Sequence, residues 1–600
     1  MNFYTDSSEW QYLFKNAVDW DTLISLYHPQ FPTAEGLNSK EEVISFYEEL
    51  LSATGKWSGD TLSPRARELD RVGGGKLVDG HVQTSEPLLK TYQEARELDL
   101  FGVTIDSHFN GLGAPITVGL MIFEQVCRAC VSTSAQVGFF TSMADMIHRF
   151  GDEEMQKKFI PMILKGEISG SMCLTEPDAG SDVGALRTSA QKQSDGTYLL
   201  NGSKCFITNG GGGLAFILAR VQGAAPGLAG ISMFFAEEKL TQPDGGHKQN
   251  YRITKIEEKM GMHGSVTCEV VYENTVARLV GKENEGFKLM LHLMNEARIS
   301  VGVQGLGGIE ACLHAVREYA ETRKQFGKNL IDLPLFKRNL SEWETERDAF
   351  RALMIDTISH FDIFQKLDIK KRKTGDLNET ETAVFRKAAK ITRRRTPLVK
   401  YYGAEANATI SQKSIQAYGG YGFMMEYDVE RLHRDSFGAL LYEGTSQIQA
   451  LMAMKDFVKG LTKNPGKFIQ ALVTSHPIGS LMNESEFTRS NGAVRYEFRK
   501  NFATLLMRCF RPEFNVTERG FLDTINQMSQ LFKREYWEEA GRFDKLMVHA
   551  ETLCQALSYC ETLQVLTKHA NTDAARGPLF HRYLKLVTPR LAGIYADWKC

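Results

Sequence analysis

Charge of one sign is missing: 71 Lys and Arg stand against 73 Asp and Glu, a formal net charge of −2. Nothing in that balance draws the chain to nucleic acid or to an anionic membrane surface, so no nucleic-acid partner is expected. No apolar run approaches the roughly 20 residues needed to cross a bilayer. The stretch MNFYTDSSEW has neither a basic start followed by an apolar core nor an Arg-rich character. It carries no secretory or organellar address, and a cytoplasmic location is expected. Cysteine is thin, with ten residues scattered over 600, which suits a reducing compartment better than a disulfide framework. The lone CxxC, Cys127 and Cys130, lies in a helical-looking stretch with no second pair. It reads as two small apolar residues on one helix face rather than a metal site. Nucleotide loops are absent too: there is no GxxxxGK(S/T) and no GxGxxG after a strand. With a helix–sheet–helix order, that argues against a doubly wound nucleotide fold. Tandem repeats and low-complexity tracts are lacking.

What is present reads as an α+β multidomain chain. Hydrophobic residues make up 42% and charged residues 24%, the balance of a globular protein. The length is too great for one core, so about three or four domains are expected. Residues 1–88 read as a helical N-terminal extension anchored by Trp10, Trp20 and Phe46. Residues 89–170 read as an N-terminal α domain, with MIFEQVCRACVSTSAQVGFFTSMADMIHRF as a long buried helix. From 171 to 285 short β-rich runs punctuated by Gly, Asn and Asp predict a central antiparallel β domain. Helical periodicity returns over 286–460. LTKNPGK, 461–467, reads as a hinge, and 468–600 as an extra C-terminal helical domain.

Five segments carry chemistry. In MCLTEPDAGSD, 172–182, Pro177 and Gly180 bend the chain while Thr175 and Ser181 place hydroxyls at the bend. That loop offers donors to a planar, electron-accepting ring, or is an ordinary turn. In NGSKCFITNGG, 201–211, Phe206 and Thr208 share one face of a strand. One can cover a flat ring while the other bonds its edge, or the segment is a half-buried strand with a turn at each end. AYGGYGF, 417–423, has glycine pairs that let backbone approach a ligand. ETRKQFG, 321–327, ends a helix with Arg323 available for a phosphate. In LLYEGTSQIQ, 440–449, Glu443 sits at the mouth of a helix, where the helix dipole alone favours an acid.

Taken in order, LTEPDAGSD, ITNGG, KMGMHGS, RKQFGK, QAYGGYGF and LYEGTSQIQ make the stretch from 90 to 460 resemble the acyl-CoA dehydrogenases, flavoproteins of fatty-acid oxidation. The length, the segment MNEAR at 294–298 and the C-terminal extension resemble that family's large bacterial branch, which includes methylmercaptopropionyl-CoA dehydrogenase-like enzymes. The resemblance implies an α domain, a β-barrel-like domain and a second α domain built as a four-helix bundle, with FAD among them. It implies that Met172, Leu174, Thr175, Gly180 and Ser181 bind the flavin, and that Ser181 also meets acyl-CoA. Phe206 and Thr208 would lie against the isoalloxazine; Arg323, Gln325, Gln416, Gly419 and Gly420 would hold the FAD of a neighbouring subunit. Thr445 and Gln447 would touch FAD, while Asn295, Arg298, Tyr442 and Gly444 would line the acyl-CoA path.

The same resemblance makes Glu443 the catalytic base for a concerted step that yields a trans-2-enoyl-CoA. Physical chemistry agrees: an α-proton of a thioester is weakly acidic, and its removal needs a positioned carboxylate. Apolar neighbours such as Leu440 and Tyr442 should raise that acid's pKa once substrate excludes water. Gly444 leaves room for the thioester and Thr445 can cap the following helix. Some members carry the base just before the arginine at 298; here Ala297 is there and Glu296 is one position off, leaving Glu296 as a second candidate. Pro334 stands where many relatives place a flavin-contacting glutamine. Ser134 and Gly138 are small at the expected floor of the acyl pocket, which suggests room for a longer chain. An electron-transfer flavoprotein is the expected acceptor, a homodimer the expected assembly, and membrane contact by the extension is possible within such a branch. Competing readings are an acyl-CoA oxidase using O2, and a non-catalytic scaffold; retention of Glu443, Thr208 and Arg323 argues against the scaffold.

Overall fold

The structure, a computed structural model, describes residues 1–33, 35–476, 485–509 and 541–600. It divides into two compact units. One gathers Met1–Gln11, Asp19–Val316 and Asn407–Ala439; the other gathers Tyr12–Val18, Arg317–Ala406 and Leu440–Cys600. The cuts after 316 and 406 fall inside long helices, where no shift of composition marks them.

In the first unit, the stretch expected as one buried helix is two, α1 (Ile116–Ala129) and α2 (Val131–Phe150). Cys130, with extended backbone at φ −159° and ψ 101°, separates them. The CxxC pair therefore does not share a helix face. Both thiols are buried, Thr133 donates to Cys130 Sγ at 3.1 Å, and no metal-holding cluster occurs among the described residues.

Seven strands form the sheet of this unit: β1 (Ser169–Cys173), β2 (Ser189–Lys192), β3 (Tyr198–Thr208), β4 (Gly213–Val221), β5 (Ile231–Glu237), β6 (Arg252–Ile256) and β7 (Thr267–Val280). Their order is β6-β7-β3-β2-β4-β1, and β5 pairs with both β4 and β7. The circuit β7-β3-β2-β4-β5 thus closes on itself, which removes free edges as a barrel does. Most pairings are antiparallel, while β1–β4 and β2–β4 are parallel. GTYLLNG and KCFITNG, read separately from the sequence, are one continuous strand, β3. The Asn201-Gly202 step is not a turn. Gly202 is needed because the segment entering β2 passes so close that a Cβ there would lie 2.5 Å from Thr188 Oγ1.

Helix α3 (Gly286–Thr322) runs for 37 residues. An 18-residue window within it, of mean hydropathy 1.3, is long and apolar enough to cross a membrane, but 67% of that window is buried inside the protein. Its apolar residues are core. At Gly307 a Cβ would meet Cys127 Cβ at 2.7 Å, so α3 and α1 approach backbone to backbone.

The second unit is helical: α4 (Pro334–Thr374), the first part of α5 (Glu379–Tyr418), α6 (Ser446–Lys463), Glu486–Cys509, α7 (Ala550–Thr572) and α8 (Gly577–Asp597). Pro334 stands at the start of α4, where its fixed φ suits a first turn and its missing N–H costs nothing. The segment read as a hinge is short: only Asn464 separates α6 from the helix Pro465–Thr474. The C-terminal helices α7 and α8 pack on α4 and share a buried polar seam with it. Arg395 bonds Asp356 and, at 2.9 Å, Glu561. Tyr402 and Tyr583 hydroxyls meet at 3.0 Å, and Arg590 reaches Glu346 at 2.7 Å. Burial pushes the Asp356 carboxyl up, but Arg395, with His360 and Lys568, overrides it and holds the acid near about 2.

Candidate functional site

The residues singled out in the sequence fall on both units. In the first, Met172 lies one residue before the end of β1 and the loop beyond that strand turns back at an isolated bridge between Glu176 and Ala179. The loop is fixed to β3 by Cys205 N–H donating to Thr175 O at 3.0 Å. Gly180 and Ser181 are exposed and Met172, Leu174 and Thr175 half-buried. The hydroxyls of Thr175, Ser181 and Thr208 bond no other described residue.

A residue absent from that expectation organises the loop. Glu176 is buried, and its carboxylate accepts from Arg187 N–H at 2.6 Å, Thr188 N–H at 3.0 Å and Thr188 Oγ1 at 2.6 Å. It also accepts from Lys204 Nζ at 2.8 Å, and Lys204, wholly buried, reaches Leu174 O at 2.9 Å. Burial works to raise the Glu176 pKa, yet the Lys204 charge and these donors hold it below its ordinary value. Burial lowers the Lys204 pKa, and Glu176 opposes that. The signal available in the sequence was a lysine at a strand position that should face the core.

Phe206 and Thr208 do share the less buried face of β3, but by a route the alternation did not show. Between Lys204 and Ile207, β3 carries one residue more than β7, and Phe206 in this bulge has φ +59°. The bulge holds the ring outward, 66% exposed, a bulky residue in a region that normally favours glycine. On α3, Arg298 is buried and donates to Asn295 Oδ1 at 3.3 Å. Glu296 pairs with Arg149 at 3.6 Å. Burial disfavours the Arg149 charge, but Asp145 and Glu296 outweigh it and keep it protonated. Ser134 Oγ donates to Val131 O at 2.7 Å, and a Cβ on Gly138 would lie 3.3 Å from the Phe123 ring, which packs against it. Gln416, Gly419 and Gly420 are exposed, and nothing lies within 4 Å of a Cβ built on either glycine.

In the second unit, Arg323 follows α3, and Lys324–Gln325 pairs with Lys328–Asn329 as a tight hairpin. Phe326 and Gly327 at its tip have φ +50° and +76°, as such a two-residue turn requires. The other feature is the turn into α6. Glu443 has φ +57° and Gly444 φ +89°, so two successive residues are left-handed. For a residue other than glycine that costs on the order of 1–3 kcal/mol. The turn is clamped by Gln449, fully buried, whose Nε2 donates to Glu443 O at 2.9 Å and Gly444 O at 3.2 Å. A side chain at 444 is barred twice, by the positive φ and by Gln449 Nε2 at 2.7 Å from its Cβ. Thr445 caps α6, accepting from Ile448 N–H at 3.3 Å. Tyr442 is half-buried and Gln447 exposed. Gln449, four residues into a helix signature, was readable only as a helix former.

This donor set fits a flavin cofactor. Its elements, all on the first unit, are an outward aromatic face, three unengaged hydroxyls and glycines open to close approach. Comparisons with known proteins agree with the motifs. Family models of the acyl-CoA dehydrogenase N-terminal, middle and C-terminal domains match residues 48–167, 171–275, and 284–372 with 376–457. The chain is 32% identical to an acyl-CoA dehydrogenase of Bacillus subtilis, over 60% of this chain and 87% of that one. It is 28% identical to a 3-methylmercaptopropionyl-CoA dehydrogenase of Ruegeria pomeroyi, over 72% and 74%. An acyl-CoA dehydrogenase of Bacillus anthracis, crystallised with FAD, superposes with a TM-score of 0.73 over 92% of this chain and 88% of that one. At 20% identity that likeness speaks for the fold, including the C-terminal helices.

Proposed function

We propose a reaction from the premise that this chain belongs to the acyl-CoA dehydrogenase family, FAD-dependent oxidoreductases that act on CH–CH bonds of acyl-CoA thioesters. The reaction is α,β-dehydrogenation of an acyl-CoA to a trans-2-enoyl-CoA, within fatty-acid β-oxidation or a related catabolic route. Glu443 takes the Cα proton, and a positioned base of this kind contributes about 10²–10⁴-fold. Its own backbone N–H is offered to the thioester oxygen, where charge develops as the proton leaves. FAD, when bound, supplies the electron sink for the hydride leaving Cβ. Thr175, Ser181 and Thr208 would present hydroxyls to the flavin and Phe206 would cover its ring, while Arg323 would meet the phosphates of the FAD of a neighbouring subunit. Asn295 and Arg298 line the path of the thioester.

One observation carries this reading. Glu443 stands in a strained left-handed conformation that the buried Gln449 amide, Gly444 and the Thr445 cap all enforce. Strain of that kind persists where position matters more than local stability. Glu296, the second candidate, has its carboxylate beside Arg149, which suits it to structure rather than proton transfer.

An electron-transfer flavoprotein is the proposed acceptor. A homodimer is the proposed assembly, supported by the exposed Phe326 and Leu335, apolar groups of the kind that interfaces cover. The test is an anaerobic titration with acyl-CoAs of increasing length, read at the flavin absorption band. Bleaching with one chain-length optimum is expected; no bleaching with any acyl-CoA would refute the reaction. Hydrogen peroxide formed stoichiometrically in air, without a dye acceptor, would instead assign an acyl-CoA oxidase.

A further inference from the structure

Away from the proposed site, the first unit has a cavity of about 380 Å³ beside the segment 256–266. One wall is Gly73, Gly74 and Gly75, which bring no side chains to fill it; Ile256 and Val266 add apolar surface. Lys259 opens onto this space. Its Nζ donates to Ser265 O at 2.8 Å, and no carboxylate lies within ion-pair distance of it among the described residues. The main chain at this point is fixed as well. His263 Nε2 lies 2.8 Å from Lys259 O, while its Nδ1 faces Asp70 Oδ1 at 2.9 Å.

That arrangement sets Lys259 apart from other lysines. Lys40, Lys56 and Lys255 are each held protonated by a carboxylate partner. Lys204 is wholly enclosed and bound to Glu176. Lys259 alone of these combines access to a cavity with an ammonium that burial disfavours, against the weaker pull of Cys268, Glu257 and Asp435. A desolvated lysine amine is a nucleophile.

We propose that Lys259 is a self-acylation site, taking the acyl group of an acyl-CoA thioester into the glycine-walled cavity. The amine nitrogen attacks the thioester carbonyl; a C–N bond forms, the C–S bond breaks, and CoA leaves as a thiol with the proton the nitrogen gives up. No electrons are transferred and no other reactant is needed. The amide N–H that remains can keep the bond to Ser265 O, while the acyl chain lies against Ile256 and Val266. The inference requires only that acyl-CoA thioesters meet this surface, and it stands apart from the role of Glu443.

The test uses the full-length FAD-loaded protein incubated with butyryl-CoA across a series of pH values. Hydroxylamine then strips thioesters from cysteines such as the exposed Cys600, and peptide mass spectrometry counts the amides left. Lys259 should be acylated severalfold faster than the exposed Lys248 and Lys328, and should reach its plateau at lower pH. The groups facing it are Glu257, Glu258 and His263 on its own segment, Cys268 on β7, and Asp435 from the helix Asp428–Ser436. In urea-unfolded protein the preference should vanish. Equal rates at the three lysines, or a preference that survives unfolding, would overturn the proposal. Flavin bleaching in the same samples reports separately on the dehydrogenase reaction.

Discussion

Glu176 and Glu443 are both acids at bends, followed within two residues by a proline or a glycine, and the fold uses them in opposite ways. At Glu176 the side chain is taken up by structure: its carboxylate is buried and bonded to Lys204, Thr188 and the Arg187 N–H. At Glu443 it is the main chain that is held, by Gln449 through two carbonyls. An acid whose oxygens are occupied by a buried ammonium holds a loop in place and is unsuited to moving protons. An acid fixed through its backbone can be aimed. The difference is between a carboxylate engaged by a buried ammonium and a turn clamped through its carbonyls.

The largest effect that would break this contrast is on rate. Glu443→Gln should lower flavin reduction by acyl-CoA by about 10²–10⁴-fold in anaerobic stopped flow, with FAD still bound. Glu176→Gln should not approach that loss; if the two variants slow the step equally, the division of roles fails. Next comes stability. Lys204→Met leaves the buried Glu176 without its counter-charge, and should cost about 3–5 kcal/mol in denaturant unfolding. The double variant Glu176→Gln/Lys204→Met should lose clearly less than the sum of the single losses, as a double-mutant cycle measures.

The pH dependence sharpens the same point. The folded Glu176 pKa lies below its unfolded value, so its contribution is complete above the ordinary carboxylate range and is lost as pH falls through the depressed value. Without Lys204, burial is opposed only by Thr188 and the Arg187 N–H, and acid unfolding of Lys204→Met should begin at higher pH. Gln449→Ala should cost about 1–3 kcal/mol by leaving two carbonyls short of a donor. It should reduce kcat more than KM, because the turn that aims Glu443 loosens. Smallest is Thr445→Ala, about 1 kcal/mol from the lost cap, visible as a lower Tm with little change in rate.

Much of this was legible beforehand because it depends on short-range chemistry. The helix–sheet–helix order follows from periodicity and the Thr445 cap from its place before an apolar run, while alternation put Phe206 and Thr208 on one face without showing the bulge that holds Phe206 there. What escaped was the consequence of parts of the chain meeting. Lys204 is 28 residues from Glu176, so neither announces the other. Gly202 looked like a turn residue because its crowding comes from Thr188, just before another strand. The Phe123 ring beside Gly138 was not legible because it stands on a different helix.

The sequence by itself determined which residue types stand at each bend and which elements flank them, since capping, alternation and turn preference act over a few residues. Only the tertiary structure decided that the Glu176 carboxylate meets a buried lysine and that the turn at Glu443 is clamped through its carbonyls. Burial, ion pairing and a left-handed φ depend on partners that the chain brings together only when it folds.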